Sequence, residues 1–166
     1  MIAADYDPLA LGYVSNLARP GGNITGLMFQ QLEQTEKRIQ LLRDAFPDLK
    51  SATVLWDRIS ADQWRVAQQV APKLGLELVG IELGAQQYDY NFVLGQAPHE
   101  HRRALVVLMT PALFPNRAKL AEAAIRRQMA SIAGLRAYAE AGALLSYGPS
   151  IDKVFARVAD YVDRIV

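Results

Sequence analysis

The feature that most constrains this chain is an alternation of short apolar runs with longer stretches whose apolar residues recur at helical spacing. Ala52 to Trp56 and Ala104 to Met109 are apolar on both sides, as strands buried between two helix layers are. Leu76 to Leu83 reads as a further strand, and Ser131 to Leu135 and Ala143 to Ser146 as short ones around a helical Arg136 to Ala141. Between the strands, Leu32, Ile39, Leu42 and Phe46 recur with helical period before Pro47. Ser60 and Gln63 have capping-box spacing ahead of the stripe Trp64, Ala67, Ala71 and Leu74, with Pro72 expected to kink or shorten its last turn before Gly75. Tyr88 to Leu94 is a weak helix, and Asn116 to Met129 carries Leu120, Ala121, Ala124 and Ile125 on one face. Ser150 can cap a terminal helix bearing Val154, Phe155, Val158, Tyr161, Val162 and Ile165. Before all of these stand an apolar run at Ile2 to Ala4, a helical candidate from Pro8 to Leu17, a breaker cluster at Arg19 to Asn23 and an extended candidate from Ile24 to Phe29. Parallel strands need long crossovers, and those are usually helical. The pattern therefore predicts an α/β fold: an open, mostly parallel sheet with helices on both faces.

At 166 residues the chain is the size of one such domain. Its longest apolar runs are far too short to span a bilayer. A net charge of +1, with basic residues scattered among acidic ones, offers no stripe for nucleic acid. The lack of cysteine removes disulfides, thiolate metal sites and cysteine nucleophiles together. The opening Met1-Ile2-Ala3-Ala4-Asp5 has neither a basic segment nor an apolar core before a small-residue cleavage site, so the chain as written is expected to carry no export signal.

In an open parallel sheet, ligands sit beyond the carboxyl ends of the strands, beside helix amino termini. That rule selects Trp56-Asp57, Gly84, Thr110-Pro111, the turn before Arg136, and Tyr147-Gly148. Trp56 can stack on a ligand or serve the core. Asp57 can receive a ligand amine or cap the turn before Ser60, and Thr110 can bond a carboxylate or cap local backbone. Tyr147 offers a hydroxyl to a cleft or packs at a hinge. Asp57, Thr110 and Tyr147 are expected to form one wall, with Trp56 and Pro111 beside them. His99-Glu100-His101 is not read as a metal site, because histidines two apart diverge on a helix, no third ligand is evident, and Pro98, Arg102 and Arg103 suggest a solvated loop. Gly21-Gly22 lacks the lysine of a phosphate loop and the spacing of a dinucleotide fingerprint, and there is no Gly-x-Ser-x-Gly elbow. No cofactor or catalytic residue is assigned.

Several segments resemble the ABC transporter substrate-binding family that includes the tryptophan-type proteins of the type I periplasmic fold. They are Asp7 to Gly12, Ala18 to Gly26 (ARPGGNITG, the most specific), Lys37 to Leu42, Ala52 to Trp56 and Glu140 to Gly148, in the family's order. The resemblance implies two α/β lobes with ligand trapped between them, and it begins here at the last strand and helix of the first lobe. On that register residues 1–22 are a remnant of the first lobe and crossover, 23–148 the second lobe, and 149–166 a helix returning towards the first. The resemblance further implies a non-catalytic role: binding a small, amino-acid-like solute and delivering it to an ABC permease, in the periplasm for the intact parent. Asp57-Arg58 stands where the family often has Asn-Pro, and Thr110-Pro111-Ala112 replaces its usual acidic or glycine-containing turn, so ligand identity does not carry over. The first strand and terminal helix, lacking their lobe's sheet, are expected to make a homodimer. The alternatives are a flavodoxin-like or hydrolase-like enzyme domain and an oligomerising remnant without ligand.

Overall fold

The computed structural model describes residues 2–4, 8–9, 12–84, 88–101 and 103–164. The chain divides into two compact units, one of Met1–Gln31 with Pro149–Val166 and one of Leu32–Gly148. In the smaller unit β1 (Ile2–Ala4) pairs in parallel with β2 (Gly26–Met28), Ile2 opposite Gly26. The first strand, expected to be unpaired, therefore has a partner from the segment read as extended.

The larger unit begins with α1 (Gln31–Ala45), stopped before Pro47. There follow β3 (Ser51–Asp57), α2 (Ala61–Val70), β4 (Glu77–Leu83), α3 (Tyr90–Gly95), β5 (Ala104–Val107), α4 (Arg117–Arg126), β6 (Ala130–Ala133), α5 (Arg136–Glu140) and β7 (Leu145–Ser146). The five strands of this unit lie in the order β4-β3-β5-β6-β7, every neighbouring pair parallel. The step from β3 to β4 runs one way along the sheet and later steps run back, so right-handed crossovers put α2 on one face and α3, α4 and α5 on the other. Alternation along the strands then fills both faces. Ala52, Val54, Ala104, Val106 and Ile132 pack with Ile39 and Leu42 of α1 and Ala67 and Val70 of α2. Leu55, Leu105 and Val107, pointing the other way, are buried as well, as are Leu120, Ala121 and Ala124 of α4. This is the predicted α/β architecture.

Local differences have local reasons. Pro8 to Leu17 forms turns rather than a helix among its described residues, with Gly12 at φ 70°. Pro72 has no N–H to give the carbonyl four residues back, so α2 ends at Val70 and Ala71–Leu74 continues as a 3-10 turn. The capping box lies three residues earlier than Ser60 and Gln63: Asp57 and Ser60 form it around the 3-10 turn Arg58–Ser60. Leu32 is exposed, unlike the rest of its stripe. Returning to the smaller unit, α6 (Ile151–Asp163) starts where Ser150 Oγ accepts the Lys153 N–H at 3.4 Å, and none of its residues is buried. Asp7, Arg102 and Ile165 lie outside the described residues.

Candidate functional site

Because all strands of the larger unit are parallel, their carboxyl ends meet at one edge, and Trp56-Asp57, Gly84, Thr110-Pro111, Gly134 and Tyr147-Gly148 all stand there. Asp57 ends β3 and Thr110 follows the end of the neighbouring β5, whereas Tyr147 follows β7, which is separated from β5 by β6.

The side chains differ in how far local structure occupies them. Asp57 is 6% exposed, and its Oδ1 accepts the N–H groups of Ile59 and Ser60, each at 3.0 Å, while its own N–H donates to Ser60 Oγ at 2.9 Å. Thr110 is 3% exposed, and its Oγ1 accepts from Ala112 N at 3.1 Å and Leu113 N at 3.3 Å. Both hydrogen-bond as caps, because a short polar side chain at a strand end is in reach of the N–H groups of the turn it begins. Trp56 stacks on Trp64 of α2, centroids 6.0 Å apart and planes 19° from parallel. The pair lies over Gly80 of β4, where a Cβ would come within 2.7 Å of Trp64 and 2.8 Å of the Trp56 indole nitrogen. Pro111 is exposed, and Tyr147, 42% exposed, donates its N–H to Ala133 O at 3.0 Å and leaves its ring at the surface.

Behind this front lies a buried polar layer that sequence reading did not find. Gln63 is buried and spans to the end of β5, with its Nε2 donating to Met109 O at 2.8 Å and its Oε1 accepting Met109 N–H at 3.1 Å. Thr35 Oγ1 donates to the same Oε1 at 3.4 Å, and Arg38, fully buried, donates from Nη2 to Thr35 Oγ1 and from Nε to Gln34 O, both at 3.1 Å. The available signal was a glutamine four residues before Ala67, hence on the buried face of α2. At the ends of β6 and β7 the backbones nearly touch, and a Cβ on Gly148 would run into the carbonyl of Gly134. Tyr138 of α5 is 2% exposed, its hydroxyl meets no hydrogen-bond partner among the described residues, and its ring meets Phe114 edge-on at 6.1 Å. Burial, then the Tyr90 phenol, pushes its pKa up, with Arg117 and Arg38 pulling weakly the other way.

The histidine pair lies at the opposite edge. His101 is buried rather than solvated, its Nε2 3.7 Å from Glu77 and its Nδ1 3.9 Å from Glu100. The Thr53 hydroxyl donates to His101 O at 2.9 Å and Ser51 Oγ to Glu100 O, so the 3-10 turn His99–His101 is tied beneath the start of β3. Among the described residues no group of three potential metal ligands occurs, and no helix is long and apolar enough to cross a membrane.

The family model described as ABC transporter substrate binding protein matches residues 1–166. The chain belongs to that family. Solved structures share this fold. A conserved domain protein of Vibrio cholerae O1 biovar El Tor has a TM-score of 0.78 at 21% identity, over 96% of this chain and 53% of its own. An ABC domain from Streptococcus pneumoniae, solved in complex with L-Trp, has a TM-score of 0.69 at 18% identity, over 84% of this chain and 47% of its own. The ligand-free, open form of a substrate binding protein with adhesive properties from Clostridium difficile has a TM-score of 0.65 at 21% identity, over 86% and 48%. The chain thus spans about half the length of each. A comparison with curated proteins found no match.

Proposed function

We propose that this chain supplies one wall of a solute-binding site of an ABC importer and that the wall is the carboxyl edge of the five-stranded sheet. The carrying observation is the family match over the whole chain. The parallel strand order, which gathers every carboxyl end at one edge, supports this reading. Tyr147 and Pro111 are its exposed members, and Asp57, Thr110 and Trp56 shape it from behind. The solute is small and amino-acid-like, an inference supported by the L-Trp bound to the pneumococcal relative. The chain is non-catalytic. The smaller unit, Met1–Gln31 with Pro149–Val166, belongs with a first lobe, the boundary lying beyond the expected residue 22 because β2 pairs with β1, and Leu32–Gly148 forms the second; the intact parent closes both lobes on the solute in the periplasm and passes it to a permease.

A single wall makes only part of the contacts that closure makes, so this chain alone binds weakly. Titrating the 15N-labelled chain with a panel of L-amino acids, L-Trp included, is expected to shift amides near Asp57, Thr110 and Tyr147 with a Kd of roughly 1 mM. Sub-micromolar binding would contradict the one-wall reading, and shifts confined to other places, or none, would contradict the site.

The same reading gives a homodimer through the terminal elements. Its support is the outer face of α6, where Phe155 is 61% exposed and Val162 also lies open. Light scattering after size exclusion is expected to give twice the chain mass, and a monomer at high micromolar concentration would overturn it.

A further inference from the structure

We infer that Gln63 is the positioning residue of this edge, its carboxamide standing in for the sheet partner that Met109 lacks. The ladder of β5 ends at Val107, and Leu108 still donates to Leu55 O at 3.0 Å. Met109 comes next, immediately before Thr110, and its N–H and C=O are both taken by one side chain, at 3.1 and 2.8 Å. The site is buried, so water does not substitute freely for what Gln63 provides.

The geometry demands a primary amide of this length. It needs an acceptor for the N–H and a donor for the carbonyl on one planar head, and asparagine is a methylene too short. A carboxylate would accept the N–H but set a negative oxygen against the carbonyl. The amide cannot flip, because Oε1 already collects Met109 N–H and the Thr35 hydroxyl, and Thr35 is held in turn by Arg38. A row of hydrogen bonds thus runs from α1 through α2 to the residue before Thr110. Beyond it, a Cβ on Gly134 would collide with the Met109 side chain, so a displaced Met109 would also disturb the end of β6.

The test is residue-resolved amide exchange on the 15N-labelled chain. Gln63→Met, of similar length but without the hydrogen bonds, is expected to lower protection of the Met109 amide by about tenfold or more while Val54 and Val106 keep theirs. Gln63→Glu supplies the discriminating readout. A protonated carboxyl can both accept the N–H and donate to the carbonyl, so Met109 should be protected as in the wild type at acidic pH and lose that protection as the carboxyl ionises. Unchanged Met109 protection in Gln63→Met, equal loss throughout the sheet, or a flat pH profile in Gln63→Glu would each overturn the inference. Its consequence for binding rests on the solute-site reading: a panel amino acid that shifts the Thr110 amide should bind Gln63→Met roughly tenfold more weakly. If no amino acid shifts that amide in the wild type, the solute-site reading fails, while the exchange experiment still decides the role of Gln63.

Discussion

The two longest helices among the described residues, α1 with 15 residues and α6 with 13, make an instructive pair. α6 separates apolar from polar residues more sharply than α1 does, yet α1 has Ile39 and Leu42 fully buried and α6 buries nothing. The reason is what each unit offers. α1 lies on a five-stranded sheet, whereas the smaller unit contains two three-residue strands, and so small a sheet gives a helix little to pack on. Amphipathic pattern states that a helix has a face to cover, without saying what covers it.

Mutations should tell the two helices apart. Leu42→Ala should cost about 2–5 kcal/mol in urea unfolding, since it opens a cavity under a helix that cannot collapse freely; a cost below about 1 kcal/mol would mean that the α1 face is no better covered than that of α6. Asp57→Ala should cost about 1 kcal/mol, the usual worth of a cap. No loss would mean that its two N–H bonds add nothing and would leave the carboxylate available to ligand.

Tyr138→Phe is expected to be neutral to stabilising by up to about 1 kcal/mol, because it deletes a buried hydroxyl without a hydrogen-bond partner. The raised pKa adds a sign. Below the ordinary tyrosine value of 10.0 the phenol is protonated whether folded or not; above it the unfolded chain loses that proton first, so stability falls as pH rises. Alkaline unfolding followed by circular dichroism should start at higher pH in Tyr138→Phe, and coincident curves would show that Tyr138 does not contribute. Phe155→Ala should be the mildest, changing the unfolding free energy of the dilute chain by less than about 0.5 kcal/mol. Its effect belongs to association, so light scattering should show a smaller dimer fraction for this variant.

The fold was legible because each strand of the larger unit carries its own signal. Ala52–Trp56 and Ala104–Met109 are apolar on both sides, and the intervening stretches keep helical period. Strand order was not legible, because nothing in β3 or β4 names β5 as the neighbour on the other side. At the candidate site the strand-end rule put Asp57, Thr110 and Tyr147 at one edge, but each side chain's alternatives rested on hydrogen bonds of a few ångströms. Gln63 was missed for a related reason. Its spacing from Ser60 fits a local cap as well as it fits a face, and its real partner, Met109, is 46 positions away. His101 was misjudged because charged neighbours describe the surface of a turn and not the side chain folded beneath it.

One consequence of the sheet order concerns how the chain comes into being. β3 sits between β4 and β5, and Thr53 pairs with Leu105 across a connection that contains α2, β4 and α3. On a ribosome β3 and β4 can zip together first, but the middle of the sheet stays open until β5 has emerged. For that interval Val54 and Leu55, destined for opposite faces of the core, sit on a strand with one bare edge. Long-range parallel pairing of this kind is slow, and slow pairing leaves apolar edges open to wrong partners. The arrangement that gathers the strand ends into one wall thus also makes the newborn chain dependent on arriving at β5 before something else does.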